Sequence, residues 1–387
     1  MSKNKKIAAS IFITAFAFGL NITGISPVLG ELNERYHEYG TSTVQLLQTI
    51  SYLLLIVGSF LVGWLTTKTS KKKIIMAGLF IIGVCGVIPF FTESFAALLL
   101  LRLLIGFGFG IVGPMNTAVI TDFFSPKDRP PYMGLHVVGM GVGTMAGNLL
   151  GGMLAGIEYR FFYLVYTIAF LGALGVKVFL IETPPVRTRK SSEMKLNRMV
   201  FAVSFASFIH TLLINVYSTN IGIYILNNIT KNPSITGVVT AVNAAAALLV
   251  GVFFAQISGI LKKYTMAFSI FAAAAGYGGI LLIPGIAGVY LGSIFCGVSL
   301  SCFMAYGSYL ISISVEQEAV AKASGMFAII GGIGGLIAPI VLGKAAEFIL
   351  GANSAVNQFI IAFVGMAVFG SVVLLVSVSR KERRKIV

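Results

Sequence analysis

The chain has 387 residues, of which 57% are hydrophobic and only 11% charged, with a mean hydropathy of +0.93. A water-soluble domain carries roughly 25% charged residues, so this composition excludes a soluble globular protein and calls for a largely lipid solvent. The net charge of +15 sits in short basic runs between apolar segments, which fits membrane topology and not a nucleic-acid surface.

A membrane-crossing helix needs about 20 mainly apolar residues. Twelve such segments are predicted: 7–29, 44–66, 74–92, 95–121, 132–156 and 160–181, then 199–226, 235–258, 265–284, 286–313, 321–345 and 356–379. The lysines before residue 7 resemble the flank of a signal peptide. The apolar run from Ile7 to Leu29 is too long for one and shows no small-residue cleavage site, so a retained first helix is expected. The longest polar stretch, 182–198, holds Pro184-Pro185 and Arg187-Thr-Arg-Lys190. It reads as a linker between an N-terminal six-helix bundle (1–181) and a C-terminal one (199–387). Cys85, Cys296 and Cys302 all fall in apolar segments, as small buried residues do, and indicate neither a disulfide framework nor a metal site. No nucleotide loop of the form G-x-x-x-x-G-K-[ST] occurs, so ATP is not the expected energy source, and neither an enzyme nor a bound cofactor is expected.

Basic residues set orientation. The termini and even-to-odd loops hold 22 Lys and Arg and the opposite loops hold four, namely Arg35, Arg160, Lys231 and Lys344. Both termini are therefore expected in the cytoplasm of a multi-pass plasma-membrane protein. Two basic residues lie within segments. Lys177 is close enough to the cytoplasmic end of the sixth to snorkel. Arg102 follows four leucines and sits about a third of the way in from the outer side. A charge at that depth costs several kcal/mol unless it faces protein or water, so Arg102 marks either a functional site or a structural pair with a carboxylate or carbonyls.

The fifth segment contains Gly143-Thr-Met-Ala-Gly147-Asn148-Leu-Leu-Gly151-Gly152. Glycines at i, i+4 and i+8 share a helical face and let a neighbouring helix approach closely, which matters where lipid supplies little hydrophobic drive. Shifted by 192 residues, a related pattern returns as Gly335-Leu-Ile-Ala-Pro339-Ile-Val-Leu-Gly343. The same shift carries the first segment onto the seventh and Lys71–Lys73 onto the neighbourhood of Lys262-Lys263. Two parallel six-helix halves related by an axis along the membrane normal imply one central cavity.

Together these features resemble the major facilitator superfamily over the whole chain. The resemblance implies an all-α integral membrane fold of twelve transmembrane helices in two pseudo-symmetric six-helix bundles. Gly63-Trp-Leu-Thr-Thr67-Lys68-Thr-Ser-Lys71-Lys72-Lys73 is similar to the family's loop signature after helix 2, with Thr67 in the acidic position. That implies a cytoplasmic gating role for Gly63, Lys71 and Arg129. Asp122 either supplies the missing anion or is a solvated loop charge. Arg102, in Leu101-Arg102-Leu-Leu-Ile-Gly106-Phe-Gly108, resembles the helix 4 arginine linked to substrate binding or proton transfer. The ladder resembles the helix 5 signature G-x-x-x-G-P-x-x-G-G of twelve-helix drug:proton antiporters. Gly143, Gly147, Gly151 and Gly152 match, and Asn148 replaces proline.

The thirteen carboxylates all lie in loops or near segment ends, which counts against a pump selective for cations. His210 sits mid-segment and is either a proton carrier, a substrate donor or a neutral ring bonded to a neighbouring helix. His136 is expected to be structural. Glu31 and Glu34 are either external proton acceptors or solvated. In this fold the cavity is lined mainly by helices 1, 4, 7 and 10. The resemblance therefore nominates Asn21, Arg102, Asn116, His210, Asn215, Tyr217, Asn243, Phe303, Tyr306 and Tyr309 as substrate-binding or coupling residues. They describe a mildly cationic cavity with aromatic walls. The expected function is export of a small organic or amphipathic compound, coupled to protons, by a monomer in the lipid bilayer. An organic-anion carrier using Arg102 and a non-transporting scaffold or receptor are the alternatives.

Overall fold

The computed structural model describes residues 3–20, 25–125, 127–182, 197–315 and 320–383. Every regular element among them is helical. In hydrocarbon an unmet backbone N–H or C=O costs several kcal/mol, and a helix meets both within its own segment.

Helix α1 (Lys3–Gly19) leads, beyond residues 21–24, to a short helix Ser26–Arg35 with Pro27 in its first turn, where proline's missing N–H would have had no partner anyway. The first predicted segment is thus split, and eleven helices among the described residues are individually long and apolar enough to cross a membrane. Helix α2 (Thr41–Lys68) is interrupted at Ile50. Helix α3 (Lys71–Val87) starts where the Ser70 hydroxyl accepts from the Lys73 N–H, and it tightens into a 3-10 turn, Ile88–Phe91. Helix α4 (Phe95–Phe123) is capped by Ser94 and contains Pro114. Helix α5 is Arg129–Ala155, and α6 (Tyr159–Phe179) opens with nine residues of 3-10 helix. Most of the predicted linker, 183–196, lies outside the described residues.

Helix α7 (Arg198–Asn228) is capped by Asn197, whose Oδ1 accepts from the Val200 N–H. Helix α8 is Pro233–Val252; the predicted eighth segment breaks at Phe253, and a short helix, Phe254–Leu261, follows. Helices α9 (Thr265–Leu282), α10 (Ile286–Ser314), α11 (Val320–Leu350) and α12 (Ala355–Arg383) complete the chain. Gly351 ends α11 at φ +80°, a left-handed conformation that favours glycine, with its N–H on the Glu347 carbonyl.

The chain forms two compact units. One comprises residues 1–191 with 230–241, and the other 192–229 with 242–387. The start of α8, as far as Ala241, thus packs with the N-terminal helices. In the first unit α4 lies against α2 and α3, and α1 against α5 and α6. In the second, α7 lies against α11, and α9 against α10 and α12.

Candidate functional site

The α5 ladder meets three neighbours. A Cβ added at Gly143 would collide with the Phe16 carbonyl, and one at Gly147 would stand 2.5 Å from the Leu20 carbonyl oxygen. Helix α1 therefore rides directly on these two glycines, and Thr144 Oγ1 adds a 2.8 Å hydrogen bond to the Gly19 carbonyl. Gly151 instead faces Phe162 of α6, and Gly152 faces Gly237 of α8. Asn148 is 1% exposed and donates from Nδ2 to the Thr240 carbonyl at 3.2 Å. A proline at this position could not make that bond, so the departure from the antiporter pattern has a structural use: an amide tie to the first part of α8.

The repeat is visible in the packing. On α5 a Cβ at Gly139 would lie 3.0 Å from Ala15 Cβ; on α11 a Cβ at Gly331 would lie 2.5 Å from Ser207 Oγ. Both pairs are related by the 192-residue shift. Phe208, the shifted counterpart of Phe16, has its carbonyl against Gly334, one residue before the shifted position of Gly143.

Arg102 is buried, and its guanidinium turns to α6. Nη1 donates to Tyr166 Oη at 2.6 Å, and Cζ lies 5.4 Å from that ring's centroid. Nη2 is buried without a partner, so the charge is met by a hydroxyl and an aromatic face and not by a carboxylate. Asn116 of α4 donates to the Ile11 carbonyl of α1 at 3.2 Å and lies 2.9 Å from His136 Nδ1 of α5. His136 is structural here, one corner of a three-helix tie. Asn21 lies outside the described residues.

At the basic end, Asp122 is not a solvated loop charge. Its Oδ2 accepts from Lys71 Nζ at 2.5 Å, and Lys71 also donates to the Ala118 carbonyl at 3.3 Å. Arg129 closes the C-terminus of α4, donating to the Phe124 and Thr121 carbonyls at 3.1 and 3.2 Å. Thr67 bonds its own helix at Trp64, and a Cβ at Gly63 would meet nothing within 4 Å. Glu182 accepts from Ser70 Oγ at 2.9 Å with Lys73 nearby, and these partners hold its carboxyl below the ordinary value. At the opposite end Glu31 is held above the ordinary value, first by burial and then by Glu34. Glu34 itself pairs with Lys231 at 2.5 Å.

In the second unit His210 is fully buried. Its ring stacks on Phe303 with centroids 3.9 Å apart, Nε2 lies 3.0 Å from Ser299 Oγ, and Nδ1 has no partner. Other nominated residues are tied up within the unit. Tyr217 donates to Ser293 Oγ at 2.8 Å and its N–H to Tyr277 Oη at 3.2 Å. Asn243 Nδ2 donates to the Ser293 carbonyl at 2.8 Å, and Asn215 Nδ2 to the Thr211 carbonyl of its own helix at 2.9 Å. The Tyr217 hydroxyl thereby holds α7 to α10. Tyr306 is buried beside Tyr309, which is 50% exposed.

The structure brings His210 and Phe303 together, and Lys71 and Asp122. It adds partners that apolar-segment scanning passes over. Tyr166 lies in the sixth segment, from which no residue was nominated, Ser299 is a short hydroxyl among small residues, and Asn220 pairs with Gln358 of α12 at 2.8 Å. Glu93 joins Arg35 and Arg160. The paired serines at 204 and 207, one turn apart on α7, were the available signal for a polar seam there.

Comparison with known proteins places this architecture. The chain matches the Major Facilitator Superfamily over residues 11–202 and 203–386, and it belongs to that family. It is 24% identical over 196 residues to an uncharacterized MFS-type transporter of Bacillus subtilis, covering 50% of this chain and 48% of that one. It is 25% identical over 144 residues to an MFS antiporter of Candida albicans, covering 37% of this chain and 21% of that one. The chain thus spans about half or less of these relatives. Among solved structures, an inward-facing bacterial homolog of the human lysosomal transporter Spinster aligns with TM-score 0.77, 15% identity and 97% coverage of both chains. The nucleoside transporter NupG aligns with TM-score 0.77, 13% identity, and coverage of 97% of this chain and 99% of that one. At these identities the likeness defines the fold: the major facilitator fold, all helical.

Proposed function

We propose that the protein is a secondary transporter of the bacterial plasma membrane that exports a small organic or amphipathic compound, driven by protons flowing inward. On this reading the basic end of the helices is cytoplasmic, with both termini there, and a single chain works by alternating access of two halves. His210 carries the proposal. It is buried in α7, its Nδ1 is unpartnered, and imidazole is the one side chain whose unperturbed proton exchange lies near neutrality. The shifted position in the first half holds Phe18, packed edge-on to Phe109 at 5.3 Å. Packing there needs a ring and nothing polar, so the imidazole has a purpose beyond packing. No carboxylate is placed mid-helix to do the same work. The export direction is supported by the antiporter-like pattern in α5 and by the antiporter among the relatives.

The test uses purified protein in liposomes with a pH-sensitive dye inside, challenged with a panel of amphipathic cations, anions and neutral compounds. A transported compound should drive an internal pH change. Compound flux that continues unaltered after the pH gradient is collapsed would refute coupling. A second reading, carriage of an organic anion, is favoured by the unpartnered Nη2 of Arg102. It requires anions to compete best, and a panel in which only cations compete would sink it.

A further inference from the structure

Four buried polar atoms along one stripe of α7 have no hydrogen-bond partner among the described residues: Ser204 Oγ, Ser207 Oγ, His210 Nδ1 and Thr211 Oγ1. Each of these residues is at most 6% exposed. Other buried hydroxyls in these helices turn back onto their own helix, as Thr219 does on Asn215, Ser269 on Met266 and Ser293 on Val289. The hydroxyls of Ser204, Ser207 and Thr211 do not. At 3.6 residues per turn the four positions fall within an arc of about 120°. The stripe meets α11 where Gly331 leaves room: a Cβ there would stand 2.5 Å from Ser207 Oγ and 3.4 Å from Thr211 Oγ1.

The other half of the chain supplies the comparison. The positions 192 residues earlier are Phe12, Ala15, Phe18 and Gly19, and none has a polar side-chain atom. Gly139 meets Ala15 there as Gly331 meets Ser207. The seam therefore folds with an apolar stripe. Unmet buried polar atoms are costly and are ordinarily satisfied by protein or by internal water, so the polar copy needs an occupant.

We propose that this stripe holds a file of internal waters and relays protons between His210 and the basic end of α7, an inference that rests on His210 being the proton-carrying group. A buried water typically makes about three hydrogen bonds, and a hydroxyl both donates and accepts. The charged imidazole gives its Nδ1 proton to the adjoining water and returns to the neutral ring. Each water or hydroxyl along the row accepts one proton and releases another. The net change is one proton lost by His210 and one released from the Ser204 hydroxyl to water toward the start of α7, each oxygen between having formed one O–H bond and broken another. Ser204 is six residues, about 9 Å, from the start of α7. The titratable groups within the helices packed against α7 include Tyr277 of α9 and Cys296, Cys302 and Tyr306 of α10; the lysines and carboxylates of α11 and α12 stand near the helix ends. Thus, among the described residues, no fixed charge stands along the row.

The test needs no substrate. Hydrogen–deuterium exchange at the imidazole Cε1 is followed by mass spectrometry in nanodiscs, with exposed His37 as the internal reference. His210 should exchange in the parent protein, and at least about tenfold more slowly in Ser207→Ala and in Gly331→Ala, which fills the space without removing a polar atom. An inert His210 in the parent, or unchanged rates in both variants, overturns the relay. Ser207→Ala recreates the Ala15 geometry of the other half, so it keeps the test valid if Gly331→Ala misfolds. If His210 exchanges as expected while liposomes show no compound-driven pH change, the coupling reading fails and the hydrated file stands.

Discussion

Replacing Gly147 by alanine tests whether the ladder works by close approach. A Cβ at this position would stand 2.5 Å from the Leu20 carbonyl oxygen and 3.0 Å from Leu20 Cα. Ordinary C···O contacts lie near 3.3–3.6 Å, so α1 and α5 must part locally by about 1 Å. A gap of about 0.5–1 Å forfeits a quarter to a half of each contact's dispersion energy, and overpacked cores lose about 1–3 kcal/mol. Gly63→Ala is the control, because a Cβ there meets nothing within 4 Å and alanine is the better helix former by about 1 kcal/mol. Gly147 is helical too, so that gain is common to both variants, and they should separate by the overpacking cost alone, about 1–3 kcal/mol. Unfolding in mixed detergent micelles, followed by circular dichroism, measures the difference. If Gly147→Ala is as stable as Gly63→Ala, the seam is not tight and the packing argument for the ladder fails.

Asp122→Asn should destabilise the basic end by about 1–3 kcal/mol, because Lys71 is left buried with its carboxylate partner neutralised. The paired change Lys71→Met with Asp122→Leu should cost less than the single change. A double-mutant cycle with no coupling would refute the ion pair's role. Glu31 has a raised folded pKa, so it contributes stability below the ordinary value of 4.5 that is lost as pH rises through the folded value. Glu31→Gln should therefore be more stable than the parent at pH 7 and no better well below 4.5; melting curves at both pH values show which order holds. Glu182 runs the other way, its folded pKa depressed chiefly by Ser70. Ser70→Ala should move the Glu182 titration, read by carbon NMR, upward, and an unmoved titration would assign the shift to Lys73 instead.

Much of the fold was legible because lipid imposes few choices. Apolar length locates the helices, and the 192-residue echo of the ladder gives the two halves. Besides the split of the first segment, three further boundaries were missed for local reasons. The interruption at Ile50 has no proline or glycine beside it, and the one at Phe253, two residues after Gly251, lies in a run that stays apolar on both sides, so apolar length alone passes over both. The start of α8 groups with the N-terminal unit through Gly152 and Gly237, a glycine pair that shows its meaning only when the helices meet. Side-chain chemistry was harder to read. Arg102 was singled out by the cost of a charge in hydrocarbon, Asn148 by standing where the helix 5 pattern has proline and His210 by its place mid-segment, but none of these signals says where the group points. Tyr166, the partner of Arg102, carries no such signal, since a tyrosine in an apolar run is usual. Asp122 was equally at home as a loop charge until Lys71 was seen buried beside it.

The divergence between the two halves is the strongest argument about mechanism, and one substitution puts it at risk. The repeat preserves packing where Gly139 on Ala15 matches Gly331 on Ser207, and at the shifted positions 18 and 210 each ring packs on a phenylalanine of a neighbouring helix, edge-on at Phe109 and stacked at Phe303. It does not preserve polarity, since the first-half stripe is apolar throughout. If the polar copy existed for stability, His210→Phe would weaken the second unit. The structure predicts otherwise. A phenyl ring can keep the stack on Phe303, the unmatched Nδ1 disappears, and Ser299 is free to bond its own helix as Ser293 bonds Val289. His210→Phe should therefore unfold within about 1 kcal/mol of the parent, as volume-conserving core exchanges do, while compound-driven pH change in liposomes is lost. The reciprocal change, Phe18→His, places unmet nitrogens in a dry seam and should cost about 1–3 kcal/mol without conferring anything. A His210→Phe protein that still moves protons with its compound would show that the polar stripe is not the coupling element, however well it folds.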